Sequence, residues 1–147
     1  INNVEDVNLV NAELALVSGS LAFQGEYFLS SVATTDDTHQ LNGSYGQISY
    51  LLTGENKSYK GPAGGFGRIA PRENFGGEEN GAGAWELALR YSTIDLSEHN
   101  GGQMNVVMVG VNWYLNPSVR MMINYGWSDL NDLGNTQVGQ MRLQFDF

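Results

Sequence analysis

The stretch Gln140 to Phe147, QMRLQFDF, alternates polar and apolar residues without a break. Successive side chains of a strand point to opposite faces, so Met141, Leu143, Phe145 and Phe147 fall on one face and Gln140, Arg142, Gln144 and Asp146 on the other. The same two-residue period returns along the chain. Leu21, Phe23, Tyr27 and Leu29 oppose Gln24, Glu26 and Ser30, and Trp85, Leu87, Leu89 and Tyr91 oppose Glu86, Arg90 and Ser92. Val107, Val109, Val111, Trp113 and Leu115 oppose Gly110, Asn112 and Tyr114. Val119, Met121, Ile123, Tyr125 and Trp127 oppose Arg120, Asn124 and Ser128. Two weaker strands are read over 7–17 and 42–53. The result is about seven strands of roughly ten to fifteen residues, longer than the ~5 to 6 usual in soluble sheets.

Such a pattern specifies an all-β, antiparallel fold and leaves two architectures. One is a soluble or surface-attached sandwich with a core on one face and solvent on the other. The other is a transmembrane β-barrel with lipid outside and water inside. Three features favour the barrel. Trp85, Trp113, Tyr125 and Trp127 sit near strand ends on the apolar face, where interfacial girdles lie. Glu13, Glu26, Glu86, Arg90, Arg120 and Arg142 share the polar face, too many charges for a dry core. Apolar alternation carried to a terminal Phe invites aggregation on a soluble edge strand and is harmless in lipid. No apolar run approaches the ~18 residues of a membrane helix, so a membrane would be crossed by strands.

The connections alternate as well. Tight turns are read around Ser18 to Ser20 and Asn116 to Ser118, and longer polar loops at TTDDTHQ, SEHNGGQ and DLNDLGN. The exception is 55–81, a Gly-rich insertion far longer than the ~2 to 5 residues of a hairpin loop. It falls at the short-turn end, where a long segment must cover the barrel mouth or enter the lumen. The whole chain, 1–147, is therefore read as part of a single barrel domain with 55–81 inserted on the periplasmic or lumen side.

The strand motifs carry a resemblance. SYLLTGENKSYKG, FGRIAPRENF, GAWELALRYSTIDL, GVNWYLNPSVRMMINY and RLQFDF, in that order from about Gly46 onward, resemble the C-terminal part of the phosphate-selective porin O and P family. The resemblance implies a sixteen-stranded barrel of the bacterial outer membrane, usually a homotrimer, that passes small anions such as phosphate. About seven strands cannot close so wide a barrel. The chain is therefore expected to be a C-terminal fragment, or the ordered part, of a longer polypeptide; its opening, INNVEDVN, without an initiator Met or a signal peptide, fits either a processed chain or a fragment. The family's constriction maps onto none of these residues. What remains is Arg90, Arg120 and Arg142, opposed by Glu13, Glu26, Glu86 and Asp146, either as structural cross-strand ion pairs or in transport. By resemblance, the insertion enters the lumen and brings Lys57, Lys60, Arg68 and Arg72 to narrow the pore and guide anions. A surface-lying turn with solvated charges is the plainer alternative. Phe145 and Phe147, with Leu143 and Met141, also resemble the terminal signature read by the barrel assembly machinery, and Gly139 departs from it.

Composition narrows the chemistry. Sixteen acidic against 7 basic residues give a net charge of -9, which argues against nucleic acid and leaves the sign of the transported ion open. Without cysteine there is no disulfide, thiolate metal site or thiol nucleophile. His39 and His99 lie in acidic loops without a second ligand at zinc spacing. Those loops lack the oxygen spacing of a calcium site, although they suit divalent cations shared with lipopolysaccharide. GPAGGFG has no P-loop Lys-Ser/Thr, and no Ser, His and Asp arrangement points to a hydrolase. The expectation is a non-enzymatic, cofactor-free passive channel in outer-membrane lipid. A sugar-binding sandwich and a plugged structural barrel are the alternatives. On this face assignment Leu89→Arg is harmful and Asn112→Arg tolerated.

Overall fold

The computed structural model describes residues 3–60, 65–77, 80–97, 101–131 and 134–146. In chain order the strands are β1 (Val4–Ser18), β2 (Leu21–Thr34), β3 (Thr38–Leu51), β4 (Tyr59–Lys60), β5 (Gly65–Phe66), β6 (Ala84–Asp95), β7 (Gln103–Asn116), β8 (Val119–Leu130) and β9 (Gly134–Phe145). The seven long ones form one sheet, ordered β1-β2-β3-β6-β7-β8-β9. Every neighbouring pair is antiparallel. The short β4 and β5 pair with each other in a separate ribbon.

The long strands run 12 to 15 residues, as expected, but several extend further toward the loop end than their alternation marks. TTDDTHQ is mostly strand, leaving 35–37 as the turn, and of DLNDLGN, Asp129 and Leu130 belong to β8 and Gly134 and Asn135 to β9. Polar residues end a strand only when both faces stop needing partners. Beyond an apolar band, a ladder runs on with its side chains in water. At the opposite end the turns are as short as read. Gly19 adopts φ +58 between β1 and β2, and the Asn116 side chain accepts from the Ser118 amide (2.9 Å) between β7 and β8.

Register divides the sheet into two faces. Leu89 lies opposite Ile48 on β3 and Val109 on β7, and Ile123 lies opposite Val111 and Met141. The apolar face is bare: Leu89 is 47% exposed, Met141 69% and Val10 67%. No second sheet covers it among the described residues, so these strands do not build a sandwich. From Leu115 to Val107 the apolar stretch of β7 is about 26 Å along the strand. With the ~40° tilt of a barrel strand it is roughly 20 Å tall, the scale of a hydrocarbon band. Polar residues bound it at the loop end, where Thr93, Asn105, Asp129 and Asn135 succeed one another across β6 to β9.

The sheet is open. Among the described residues the outer edges of β1 and β9 have no neighbour, so these seven strands do not close a barrel. The buried core is correspondingly small: Leu51, Ile69, Ala84 and Tyr114, gathered at the short-turn end beneath the insertion. Gly83 marks how tightly that end is built. It has φ +71, and an added Cβ would come within 2.4 Å of the Tyr114 carbonyl oxygen.

In a bilayer, Leu89→Arg should cost about 2 to 4 kcal/mol of barrel stability, whereas Gln140→Arg on the other face should cost little. Urea unfolding of the native-length protein in lipid vesicles checks both, and the reverse order would exchange the faces.

Candidate functional site

The polar face collects the charges because alternation and register carry each to the same side. Glu13 is opposite Glu26, Arg90 opposite Gln47 and Met108, Glu86 opposite Asn112, Arg120 opposite Tyr114 and Gln144, and Arg142 opposite Met122. All six sequence-expected residues therefore lie on one surface. They are not mixed evenly: the acids Glu13 and Glu26 stand on β1 and β2, the arginines on β6, β8 and β9.

The cross-strand arginine–carboxylate pairs are not what forms among the described residues. Arg90 stacks its guanidinium over the Tyr45 ring, 3.8 Å from the centroid. Arg120 donates to the Gln144 side-chain oxygen (2.9 and 3.3 Å) and lies 5.9 Å from the Tyr114 ring centroid. Gln144 in turn donates to Asp146 (2.8 Å). Arg142 is exposed on the edge strand. The acids take neutral donors: Gln24 to Glu13 (3.1 Å) and Asn11 to Glu26 (3.1 Å). Stacking and amide contacts hold an arginine in place without cancelling its charge, as a carboxylate would.

The insertion supplies the missing cation for Glu86. Lys57 pairs with it, with side chains 7% and 2% exposed. The carboxylate also accepts from Tyr114 Oη (2.7 Å) and Asn112 Nδ2 (3.0 Å). Lys57 Nζ donates to Ser49 Oγ (2.7 Å), and the Phe66 ring closes over it, 4.8 Å away. A buried pair is tolerable only when its remaining donors and acceptors are met, as they are here. Asn112 is thus committed to Glu86, so Asn112→Arg breaks a contact and is not the harmless change expected from the strand pattern.

Around this pair the segment is tied down at several points. Lys57 N donates to the Gly19 carbonyl (3.1 Å), and Ser20 Oγ to the Glu55 carbonyl (2.7 Å). The Arg72 amide donates to the Glu55 carboxylate (3.2 Å), and its guanidinium donates to the Gly54 carbonyl. Tyr59 Oη reaches Glu13 (3.3 Å) across the polar face. Ile69 enters the small core. Lys60, Arg68 and Arg72 are exposed. Of the four basic residues expected to act together, Lys57 is thus sequestered and the others are not. A cavity of about 160 Å³ remains between this segment and the β7–β8 turn, with Arg68, Arg120 and Asp146 on its walls.

On the apolar face at the same end, Phe75 packs edge-on against Trp113 (4.7 Å), which stacks on Trp85 (5.0 Å). Both indoles donate to the Ala82 carbonyl, at 2.8 Å from Trp113 and 3.2 Å from Trp85. Aromatic rings with a satisfied polar tip suit a lipid–water boundary. Alternation found Trp85 and Trp113. It put Tyr114 on the polar face without its role, and missed Ser49, Phe66 and Ile69, whose parts depend on where an irregular segment folds back. His99 and Phe147 lie outside the described residues.

Tyr114→Phe keeps the ring and removes one donor from a buried carboxylate. It should destabilise the protein by about 1 to 3 kcal/mol, read as a lower urea midpoint in vesicles.

The whole chain, residues 1–147, matches the family described as "Phosphate-selective porin O and P". An uncharacterized protein of Caulobacter vibrioides is 32% identical over 129 residues, which are 86% of this chain and 25% of that protein. Porin O of Pseudomonas aeruginosa is 27% identical over 135 residues, 82% of this chain and 30% of that porin. The chain thus spans between a quarter and a third of the length of these relatives. A match over its full length, on a sheet with one bare apolar face and one charged face, places the chain in the phosphate-selective porin O and P family.

Proposed function

We infer that this chain forms part of an outer-membrane porin, a passive water-filled channel for small ions, with anions such as phosphate as its cargo. The observation that carries this reading is the division of one long sheet into an apolar face fit for lipid and a charged face that needs water. Lone β1 and β9 edges are untenable in hydrocarbon, where each unpaired backbone group costs several kcal/mol. Further strands must therefore close the barrel, and the family suggests sixteen in all, assembled as homotrimers in contact with lipopolysaccharide. Phe145, on the apolar face, suits a signal for the barrel assembly machinery.

In this channel Arg90, Arg120 and Arg142 line the lumen with charge left uncancelled, while Glu13 and Glu26 line the opposite part of the arc. Lys60, Arg68 and Arg72 of the insertion add positive potential at the short-turn mouth, on the periplasmic side. A field of that sign raises the local concentration of anions. No bond is made or broken in this passage, and no cofactor or metal is needed.

A second reading keeps the barrel and closes the pore. It is favoured by the insertion itself, which covers the polar face between Glu13 and Tyr114.

The reversal potential of the native-length protein in a planar bilayer under a salt gradient separates the readings. An anion-selective sign is expected. A cation-selective sign would keep the porin and remove phosphate, and a silent membrane would favour the plugged barrel.

A further inference from the structure

The Lys57–Glu86 pair stands apart from every other charge on the polar face. Arg90 and Arg120 touch rings and an amide, and Glu13 and Glu26 accept from neutral side chains. Lys57 alone among the insertion's cations is buried against a carboxylate, 7% exposed against 2%.

Every side-chain polar atom of the pair has a partner. One Glu86 oxygen takes Lys57 and the other takes both Tyr114 Oη and Asn112 Nδ2, at 2.7 and 3.0 Å. Lys57 divides its donors between Glu86 and Ser49, with the Phe66 ring against its remaining side. The partners come from β3, β6, β7 and the insertion, so the pair joins the insertion to three successive wall strands. Ile69, 5% exposed, adds an apolar contact beside it, against Leu51, Ala84 and Tyr114.

Resting on the porin reading above, we propose that Lys57 and Glu86 are a positioning latch: they hold residues 55–60 and 65–72 against the wall and so set pore width, without contributing to ion selectivity. A neutral, satisfied, buried pair presents no net charge to a passing ion. An ion pair has directions and a distance to satisfy, so it fixes one placement of a Gly-rich segment that apolar contact alone would let slide. Within the segment, selectivity is left to the exposed Lys60, Arg68 and Arg72. Width and charge are thereby assigned to different residues of one segment.

The test uses native-length protein with Lys57→Met, reconstituted in planar bilayers and, separately, digested with trypsin in vesicles that leave the short-turn face accessible. The latch predicts single-channel conductance raised roughly twofold or more, with the sign of the reversal potential kept. It also predicts new cleavage after Lys60, Arg68 and Arg72, since a released segment is open to protease. Lys57→Arg should restore the wild-type values in both assays. Unchanged conductance with an uncut segment would overturn the latch. So would a shift toward cations at unchanged conductance, which would make Lys57 an ion guide and leave the porin standing. If the wild-type protein itself conducts nothing, the porin reading fails, and the trypsin pattern still decides whether the pair holds the segment. Should Lys57→Met not assemble, Glu86→Gln, which keeps the acceptor and removes the charge, is read by the same two assays.

Discussion

One face of this sheet is apolar and bare and the other is charged, and the rest of the structure follows from that asymmetry. In hydrocarbon a backbone amide has no partner except another strand. The ladder must therefore be continuous, long and free of loose edges wherever lipid touches it. Seven strands of 12 to 15 residues, each paired to its sequence neighbour, satisfy this everywhere except at the outer sides of β1 and β9. Hydrophobic burial, the main support of a soluble sheet, is almost missing: the apolar side chains stand outward, and four residues make up the packed cluster. The chain is held by its ladder and its solvent, much less by a core.

A wall that faces water can use polar contacts freely, and this one does. On the polar face the side chains reach across strands: Asn11 to Glu26, Gln24 to Glu13, Arg120 to Gln144 and Arg90 onto Tyr45. Exposed contacts of this kind contribute little stability singly. Their effect is to fix where charge stands. Arginine held by a ring or an amide keeps its full charge, so the absence of Arg–carboxylate pairs among the described residues matters for the field over this face more than for folding.

The strands and their two faces were legible in the residues because a period of two is a local property. Leu89, Val109 and Ile123 announce the outward face, and Glu86, Arg90 and Arg120 the inward one, before any register is known. The loop ends were not legible: Thr38 and Gln40 continue β3 although nothing apolar marks them, because a strand in water needs only its ladder. Nor was the fate of Lys57. Its neighbours in sequence, Asn56 and Ser58, give no hint of Glu86, 29 residues on in sequence, and the irregular backbone between them has no period to extrapolate. Local pattern predicts which face a residue takes; long-range pairing through an irregular segment needs the fold.

The same contrast explains why a charged pair, and not a larger apolar patch, should fasten the insertion. Residues 55–81 carry seven glycines and few large apolar side chains, so the area they can bury is small, and their loss of backbone freedom on docking is large. Enlarging the apolar contact would place grease on the charged face of the sheet. Ile69 already fills the shallow site that Leu51, Ala84 and Tyr114 provide. A buried, saturated ion pair takes up little wall and leaves no net charge behind. Its cost is desolvation, which Tyr114, Asn112 and Ser49 offset by supplying the hydrogen bonds that water would otherwise have made.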